Sequence, residues 1–354
     1  MKKIINTTLL LLFLSLFTYQ IQGQNTNYPE PGTRNPEQKN YFRIAFYNVE
    51  NLFDTIDDPM TDDQDFLPGS RIPWTAERYE TKLDHLAEVI ADLSEDLPVA
   101  IFGLCEIENR KVLNDQVASP AILPVGYRII HADSPDERGI DNAMLYDEGQ
   151  FQPLAVQHVA VDLPGDKTRN ILYVKGISRK TKGDTLHLFV NHWPSRSEGQ
   201  EVSEPKRIRA AEVLKSKVDS VFAGNQRALI VIMGDLNDEP ADKSVGGVLQ
   251  AIAPADKPAA GVLYNLMIPL HREGKGTLYY KDWDLFDQII ISGGFWLKQK
   301  GLRYSGSSGN IFSPDYLLFT NKEGLSRPNR TAAKDYYGGY SDHLPVYIDL
   351  LIKK

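Results

Sequence analysis

Five short strings in this 354-residue chain place hydrogen-bonding or ionisable side chains directly after apolar runs. They are Ala45-Phe46-Tyr47-Asn48-Val49-Glu50-Asn51, Phe102-Gly103-Leu104-Cys105-Glu106, Phe189-Val190-Asn191-His192-Trp193-Pro194, Val231-Ile232-Met233-Gly234-Asp235-Leu236-Asn237-Asp238 and Tyr340-Ser341-Asp342-His343-Leu344-Pro345-Val346. Strand interiors supply rigidity, and strand ends present side chains to solvent and substrate. Taken singly, each residue has an ordinary explanation: Asn48 closing a turn, Glu106 pairing with an arginine, His192 as a half-buried histidine with satisfied nitrogens. Together they supply hard oxygen donors, Asn48, Glu106, Asp235, Asn237 and Asp342, and the imidazoles of His192 and His343. Oxygen donors without cysteine suit Mg²⁺, Mn²⁺ or Ca²⁺ and argue against a structural zinc site. Magnesium takes one or two carboxylates, keeps waters and bridges to substrate phosphate, so this is an inventory for phosphoryl transfer. No Gly-x-Ser-x-Gly string follows these strands, which sets aside a serine-hydrolase elbow.

The elements that must position these groups are read from apolar periodicity. Candidate strands are Arg43–Val49, Val99–Ile107, Tyr127–His131, Asn142–Tyr146, Ile171–Ile177, Thr185–Asn191, Ala228–Met233, Asp287–Ser292 and Val346–Ile352. A helix is expected over Ala76–Leu93, with Leu83, Leu86, Ala87 and Ile90 on one face and Thr75 as N-cap. A second is expected over Glu204–Phe222, with Ile208, Ala211, Val213, Leu214 and Val218 inward. Its basic residues Lys206, Arg207, Arg209, Lys215 and Lys217 read as a solvated face. Many strands and few helices without strict βα alternation argue for a layered α/β sandwich. The acidic, turn-rich stretch from Asp54 to Arg71 reads as a surface loop.

Composition bounds the function. Lys plus Arg number 39 against 47 Asp plus Glu, a net charge of −8. That excludes a uniformly basic nucleic-acid-coating protein, which draws its affinity from neutralising phosphates. It leaves room for an enzyme that holds a phosphodiester with metal ions and a few local arginines. Residues 1–23 read as a signal peptide: Lys2 and Lys3, an apolar Leu9–Phe17 core too short to span a bilayer, and small Gly23 before the cut. Residues 24–40 form a polar linker, and 41–354 form one domain with no internal break. A secreted or periplasmic protein without stable membrane insertion is expected, with no protein partner evident. The lone Cys105 permits no intramolecular disulfide and lies in a buried-strand pattern, unsuited to a nucleophile. His85, His131, His158, His187 and His271 lack a comparable neighbourhood and read as surface or packing residues.

The ordered set Asn48, Glu106, His192, Gly234-Asp235-Leu236-Asn237 and Ser341-Asp342-His343 resembles the endonuclease/exonuclease/phosphatase superfamily, the deoxyribonuclease I-like fold, over roughly residues 41–353. The resemblance implies a four-layer α/β sandwich: two packed mixed β-sheets flanked by helices, with the catalytic groups at one edge. It implies that Glu106 is the metal-binding glutamate, with Asn48 and Asp342 in the same or an adjoining shell. Asp235 and Asn237 resemble the pair that positions the attacking water and the scissile phosphate, and His192 and His343 resemble the histidines on either side of it. Asp287 matches the carboxylate that orients His343, and Asp141 falls where a carboxylate partner for His192 is expected. Arg169 and Arg138 are the candidate phosphate-binding arginines.

The physical chemistry agrees with such a centre. A phosphodiester is an anion that repels hydroxide, so cations must neutralise its non-bridging oxygens. One imidazole can take the water's proton while another serves the departing alkoxide. His343 with Asp287 is expected as base, and His192 with Asp141 as acid or phosphate clamp. Within the superfamily, Asp238-Glu239-Pro240 after the Gly-Asp-Leu-Asn string disfavours the inositol phosphatase branch. A sphingomyelinase-like lipid enzyme stays open, with Tyr279-Tyr280-Lys281-Asp282-Trp283 and Tyr336-Tyr337-Gly338-Gly339-Tyr340 as its aromatic loops. Asn191-His192-Trp193-Pro194-Ser195-Arg196 and Asn48-Val49-Glu50-Asn51-Leu52-Phe53-Asp54 look most like secreted bacterial endonucleases. The expectation is a Mg²⁺-dependent endonuclease cutting DNA, with RNA as a further substrate and little base preference. A binding-only protein on this scaffold is the non-enzymatic alternative.

Overall fold

The computed structural model describes residues 40–354; the signal peptide expected at 1–23 and all but the last residue of the linker expected at 24–40 lie outside them. In chain order, β1 (Tyr41–Leu52), α1 (Ala76–Leu93), β2 (Val99–Ile107), α2 (Arg110–Ala118), β3 (Arg128–His131) and β4 (Asp141–Tyr146) build most of one sheet and its outer helical layer. The second is built by β5 (Phe151–Val159), β6 (Ile171–Ser178), β7 (Thr185–His192), α3 (Gln200–Gly224), β8 (Leu229–Asp235) and β9 (Leu263–Asn265). After α4 (Ile268–Arg272) and the hairpin of β10 (Leu278–Tyr279) and β11 (Trp283–Asp284), β12 (Asp287–Ser292) joins that second sheet. Beyond α5 (Gly294–Leu297), β13 (Gly301–Arg303) and β14 (Asn310–Ile311) return to the first sheet. A small hairpin of β15 (Leu318–Thr320) and β16 (Ser326–Pro328) precedes β17 (Val346–Lys353). The first sheet runs β13, β17, β1, β2, β4, β3, with β14 also on β17; the second runs β5, β6, β7, β8, β12, β9.

Alternation along the strands creates the four layers. In β1, Phe42, Ile44 and Phe46 face the other sheet, and Ala45, Tyr47 and Val49 face the helices. In β8, Val231 and Met233 face inward, and Ile230 and Ile232 pack under α3 with Ala210, Ala211, Leu214 and Val218. Both faces of these strands are buried, which is why their sequences read as continuous apolar runs. α1 is capped by Thr75, whose side chain accepts from the Arg78 amide.

Strand polarity then sets where polar ends emerge. β1 and β2 pair in parallel across α1, and β7 and β8 in parallel across α3, one such unit in each sheet. Their C-terminal ends share one edge of the sandwich. The antiparallel neighbours begin at that edge, with Asp141 of β4 opposite Ile107, Asp287 of β12 opposite Asp235, and Val346 of β17 opposite Phe46.

Most strand expectations hold within a residue or two, and β2 and β12 match at both ends. β5, β9 to β11 and β13 to β16 were not foreseen, and all of these but β5 are two or three residues long. β5 is the outer strand of its sheet, exposed from Leu154 to Gln157 and irregular in register between Pro153 and Ala155, so it lacks a two-faced apolar pattern. Helix α3 starts at Gln200 rather than Glu204. Arg207, expected on its outer face, is fully buried: its Nε lies 2.6 Å from Asp238 Oδ1 and its Nη1 donates to Ser203 Oγ.

Phe46 is fully buried between the sheets. Phe46→Ala should cost about 3–5 kcal/mol, read as a lower urea midpoint at unchanged slope. His187, paired with the Tyr173 hydroxyl at 2.8 Å, is pushed down to about 4 by burial and by Lys175. Below its ordinary range near 6.5 the unfolded chain takes up a proton that the native imidazole refuses. Stability should therefore be full above that range and fall as pH drops toward 4. His187→Gln should flatten this part of a melting temperature–pH profile.

Candidate active site

At the shared edge the two sheets exchange polar contacts. Asn48 at the end of β1 donates through Nδ2 to Glu106 Oε1 (3.0 Å) within its own sheet and to Asp235 Oδ2 (3.0 Å) across the interface. His192 Nε2 lies 3.8 Å from Glu106 Oε1 and 3.7 Å from Asp235 Oδ2. His343 Nδ1 is held by Asp287 Oδ2 at 2.7 Å, leaving Nε2 3.8 Å from Asp235 Oδ2 and 3.9 Å from Asp342 Oδ1. Asn237 donates its amide to Asp235 Oδ1 (2.9 Å) and its Nδ2 to the Trp193 carbonyl (3.0 Å). Ser341 ties the last segment in, donating to the Asn48 carbonyl at 2.8 Å and accepting from the His343 amide at 3.1 Å.

The backbone here is strained in a way seen almost nowhere else among the described residues. Of five described non-glycine residues with positive φ, four belong to this edge: Glu50 (50°), Asn51 (53°), Glu106 (63°) and Asn237 (49°). Each such conformation costs on the order of 1–3 kcal/mol and survives only where neighbours over-determine it. The neighbours do so, since Asn48 Oδ1 takes the Glu50 amide, Glu106 Oε2 the Asn51 amide and Asp235 Oδ1 the Asn237 amide.

Electrostatics follow from this crowding. Burial raises the Asp235 carboxyl to about 7; His343 opposes the shift, and Asp287 and Glu106 add to it. Burial would raise Glu106 as well, but Arg138, His343 and bonds from Asn48 and Asn51 bring it below its ordinary value. Burial would lower His343, and the carboxylates of Asp287, Asp235 and Asp342 overcome it and raise the imidazole well above the usual range. His192 is lowered by burial, then by Arg169, Arg138 and His343.

Donor atoms of Glu106, His192 and Asp235 lie within 4.8 Å of one another, as do those of Asp235, Asp287 and His343. Asp287 Oδ1 and His192 Nδ1 are buried without a hydrogen-bond partner. This concentration of buried carboxylate oxygen, with no sulfur donor free to compete, fits a hard divalent cation. Glu106 and Asp235 would hold it. Asn48 turns its amide NH₂ toward both carboxylates, so in this geometry it spaces them, while its oxygen serves the Glu50 amide. Cys105 is buried, and burial pushes its thiol well up.

Three expected assignments change. Asp141 does not meet His192: its Oδ2 pairs with His131 Nε2 at 2.9 Å and its Oδ1 accepts the Ser134 amide. His131, read as a packing residue, is thus the partner, because it ends β3 beside the start of β4. Arg169 is buried and committed to Asp136 (2.9 Å) and the Trp193 carbonyl (2.6 Å), so it braces the His192 loop. Arg138 is exposed, with a 3.4 Å contact to Asn51 Oδ1, and is the freer of the two guanidiniums. Asp342 shares its Oδ2 with Arg330 Nη2 at 3.0 Å.

A supporting network had escaped the sequence reading. Lys82 of α1 is buried and donates to Thr331 Oγ1 (2.6 Å) and the Tyr340 carbonyl (2.5 Å). Buried Glu50 accepts from the Thr331 amide (2.6 Å) and pairs with Arg330 (3.0 Å), which reaches Asp342. Burial lowers Lys82 to about 8 and raises Glu50 to about 7. The available signal was a lysine on the apolar stripe of α1, three residues after Tyr79 and four before Leu86.

A family model described as the Endonuclease/Exonuclease/phosphatase family matches residues 43–352. No curated protein matches the chain. Truncated Caenorhabditis elegans TDP2 is similar at a TM-score of 0.51 and 15% identity, covering 88% of this chain and 98% of that one. The human nocturnin catalytic domain gives 0.52 and 16%, covering 88% and 94%. A Bacteroides thetaiotaomicron mannosyl-6-phosphatase gives 0.52 and 15%, covering 88% and 99%.

Lys82→Met should remove the donor to Thr331 Oγ1 and the Tyr340 carbonyl beneath the loop that carries Asp342 and leave those buried acceptors short of a partner. A loss of about 1–3 kcal/mol in urea unfolding is expected, the scale for stranding a buried polar group.

Proposed function

The chain belongs to the endonuclease/exonuclease/phosphatase family, and on that premise we propose that it is an exported, Mg²⁺-dependent phosphodiesterase that cuts DNA with little base preference. The observation that carries the reading is the cross-sheet cluster in which Asp235 lies between His192 (3.7 Å) and His343 (3.8 Å), with Glu106 bridged to it through Asn48. A bound cation would neutralise charge on the phosphate oxygens. Glu106 and Asp235 would hold it. His343 is oriented through Nδ1 by Asp287, which turns Nε2 to the reacting centre, where the raised imidazolium gives its proton to the departing oxygen. His192 has no carboxylate on Nδ1 and serves as the clamp on a phosphate oxygen. Asn237, pinned to the Trp193 carbonyl and to Asp235, fixes the depth at which the phosphate sits.

Surface features support nucleic acid over lipid. Tyr280 (77% exposed) and Tyr337 (52%) are the well-exposed aromatics of two separate loops, a form suited to stacking on bases. Among the described residues no helix is long and apolar enough to cross a membrane. Exposed Arg138 beside Asn51 offers a backbone phosphate contact that a net charge of −8 does not preclude.

The test is one assay of plasmid DNA, RNA, sphingomyelin, inositol phosphates and mannose 6-phosphate with Mg²⁺, with Mn²⁺ and with EDTA. Plasmid nicking that EDTA abolishes is expected; turnover of a phosphomonoester or lipid alone would overturn the DNA reading. Glu106→Gln should abolish metal-stimulated hydrolysis with the fold intact by circular dichroism. His343→Ala and His192→Ala should each slow turnover by ~10²-fold or more, and a loss under threefold would remove that histidine from the mechanism.

A further inference from the structure

A cavity of about 260 Å³ opens beside the catalytic edge, walled by Asn51, Phe66, Arg71, Trp74, Arg330 and Ala333. It is continuous with the cluster just described. Asn51 lines the cavity and donates its amide to Glu106; Arg330 lines it and contacts Asp342. A phosphate seated beside the cation that Glu106 and Asp235 would hold has this space next to it, across Asn51 and Arg330.

The walls are aromatic and rigid. Phe66 stacks on Phe53 with centroids 4.0 Å apart and planes 4° from parallel, and Trp74 meets Phe66 edge-on at 6.3 Å. The Trp74 indole is locked by its bond to the Phe53 carbonyl (2.9 Å) and by Tyr336 against its other side at 6.4 Å. At the rim, exposed Arg71 spends one nitrogen on the Lys334 carbonyl, and Asp65 is the nearby acid.

We infer that this cavity is a nucleoside subsite that takes the base of the nucleotide next to the scissile phosphodiester, an assignment that rests on the nuclease reading and narrows it. Volume decides against the alternatives. Sites for drug-sized ligands run from roughly 300 Å³ upward, so this one admits a single planar ring with its sugar and not the paired chains of a sphingolipid. Two guanidiniums, one of them already paired with Glu50, are too few for an inositol polyphosphate. The partly exposed Phe66 ring offers a stacking surface to a base of any identity, in keeping with low base preference.

Two variants test it: Phe66→Ala removes a stacking wall, and Ala333→Trp, at an exposed position, fills the space. Trp74, one of four tryptophans, reports from inside the cavity. Thymidine 5′-monophosphate in EDTA should quench wild-type fluorescence saturably and should fail to do so in either variant. In Mg²⁺, the KM for a thymidylate oligonucleotide should rise roughly tenfold or more relative to that for an abasic oligonucleotide of the same length, which carries no aromatic ring. Equal changes for both substrates, or none, would overturn the subsite. A wild-type enzyme that cleaves bis(p-nitrophenyl) phosphate but no nucleic acid would remove the nuclease reading instead. The nucleotide titration then decides the cavity on its own, and an absent response overturns it.

Discussion

The close approach of the two sheets near Gly103 governs the rest of the molecule. A Cβ at that position would stand 2.8 Å from Met233 Sδ of the facing sheet and 3.1 Å from the Phe46 ring on the neighbouring strand, so a larger residue would force those side chains to shift. Phe46 is two residues before Asn48, Met233 two before Asp235, and Gly103 three before Glu106. This apolar contact lies one strand period below the polar edge, beneath the point where Asn48 reaches Asp235. A bulkier residue in this layer would push the two carboxylates apart before any catalytic side chain was touched.

Above that contact the molecule accepts costs that a purely structural protein would avoid. Glu106, Asp235, Asp287 and Asp342 converge, three left-handed residues are held open by carboxylate and amide oxygens, and two buried polar atoms go unmatched. Desolvating like charges is expensive, and such arrangements are stabilised by a cation or by proton sharing. The same groups that strain the fold are those whose geometry suits phosphate chemistry. Beneath them, Lys82, Glu50 and Arg330 form a charged brace that connects α1 to the segment carrying Asp342 and His343. Strain at the edge and support behind it form one design, in which rigidity substitutes for reorganisation during turnover.

Much of the architecture was legible because the central strands are buried on both faces. β2 and β12 announce themselves as apolar runs with polar terminators, and α1 as a stripe behind a threonine cap. β5, at the edge of its sheet, carries no such run, and the inward Arg207 defies any rule that sends charge outward, because its partner Asp238 lies 31 residues further along the chain.

Residue types and their places at strand ends were determined by the sequence alone, since burial writes hydrophobicity into local composition. Partner choice was not. Asp141 takes His131 instead of His192, Arg169 is consumed by Asp136, and Asn48 offers nitrogen rather than oxygen to the carboxylates. These outcomes depend on which strands are neighbours and which way each runs, a property of chain segments tens to hundreds of residues apart. Short-range patterns record the environment of a side chain; only the packed sheets decide which atom it touches.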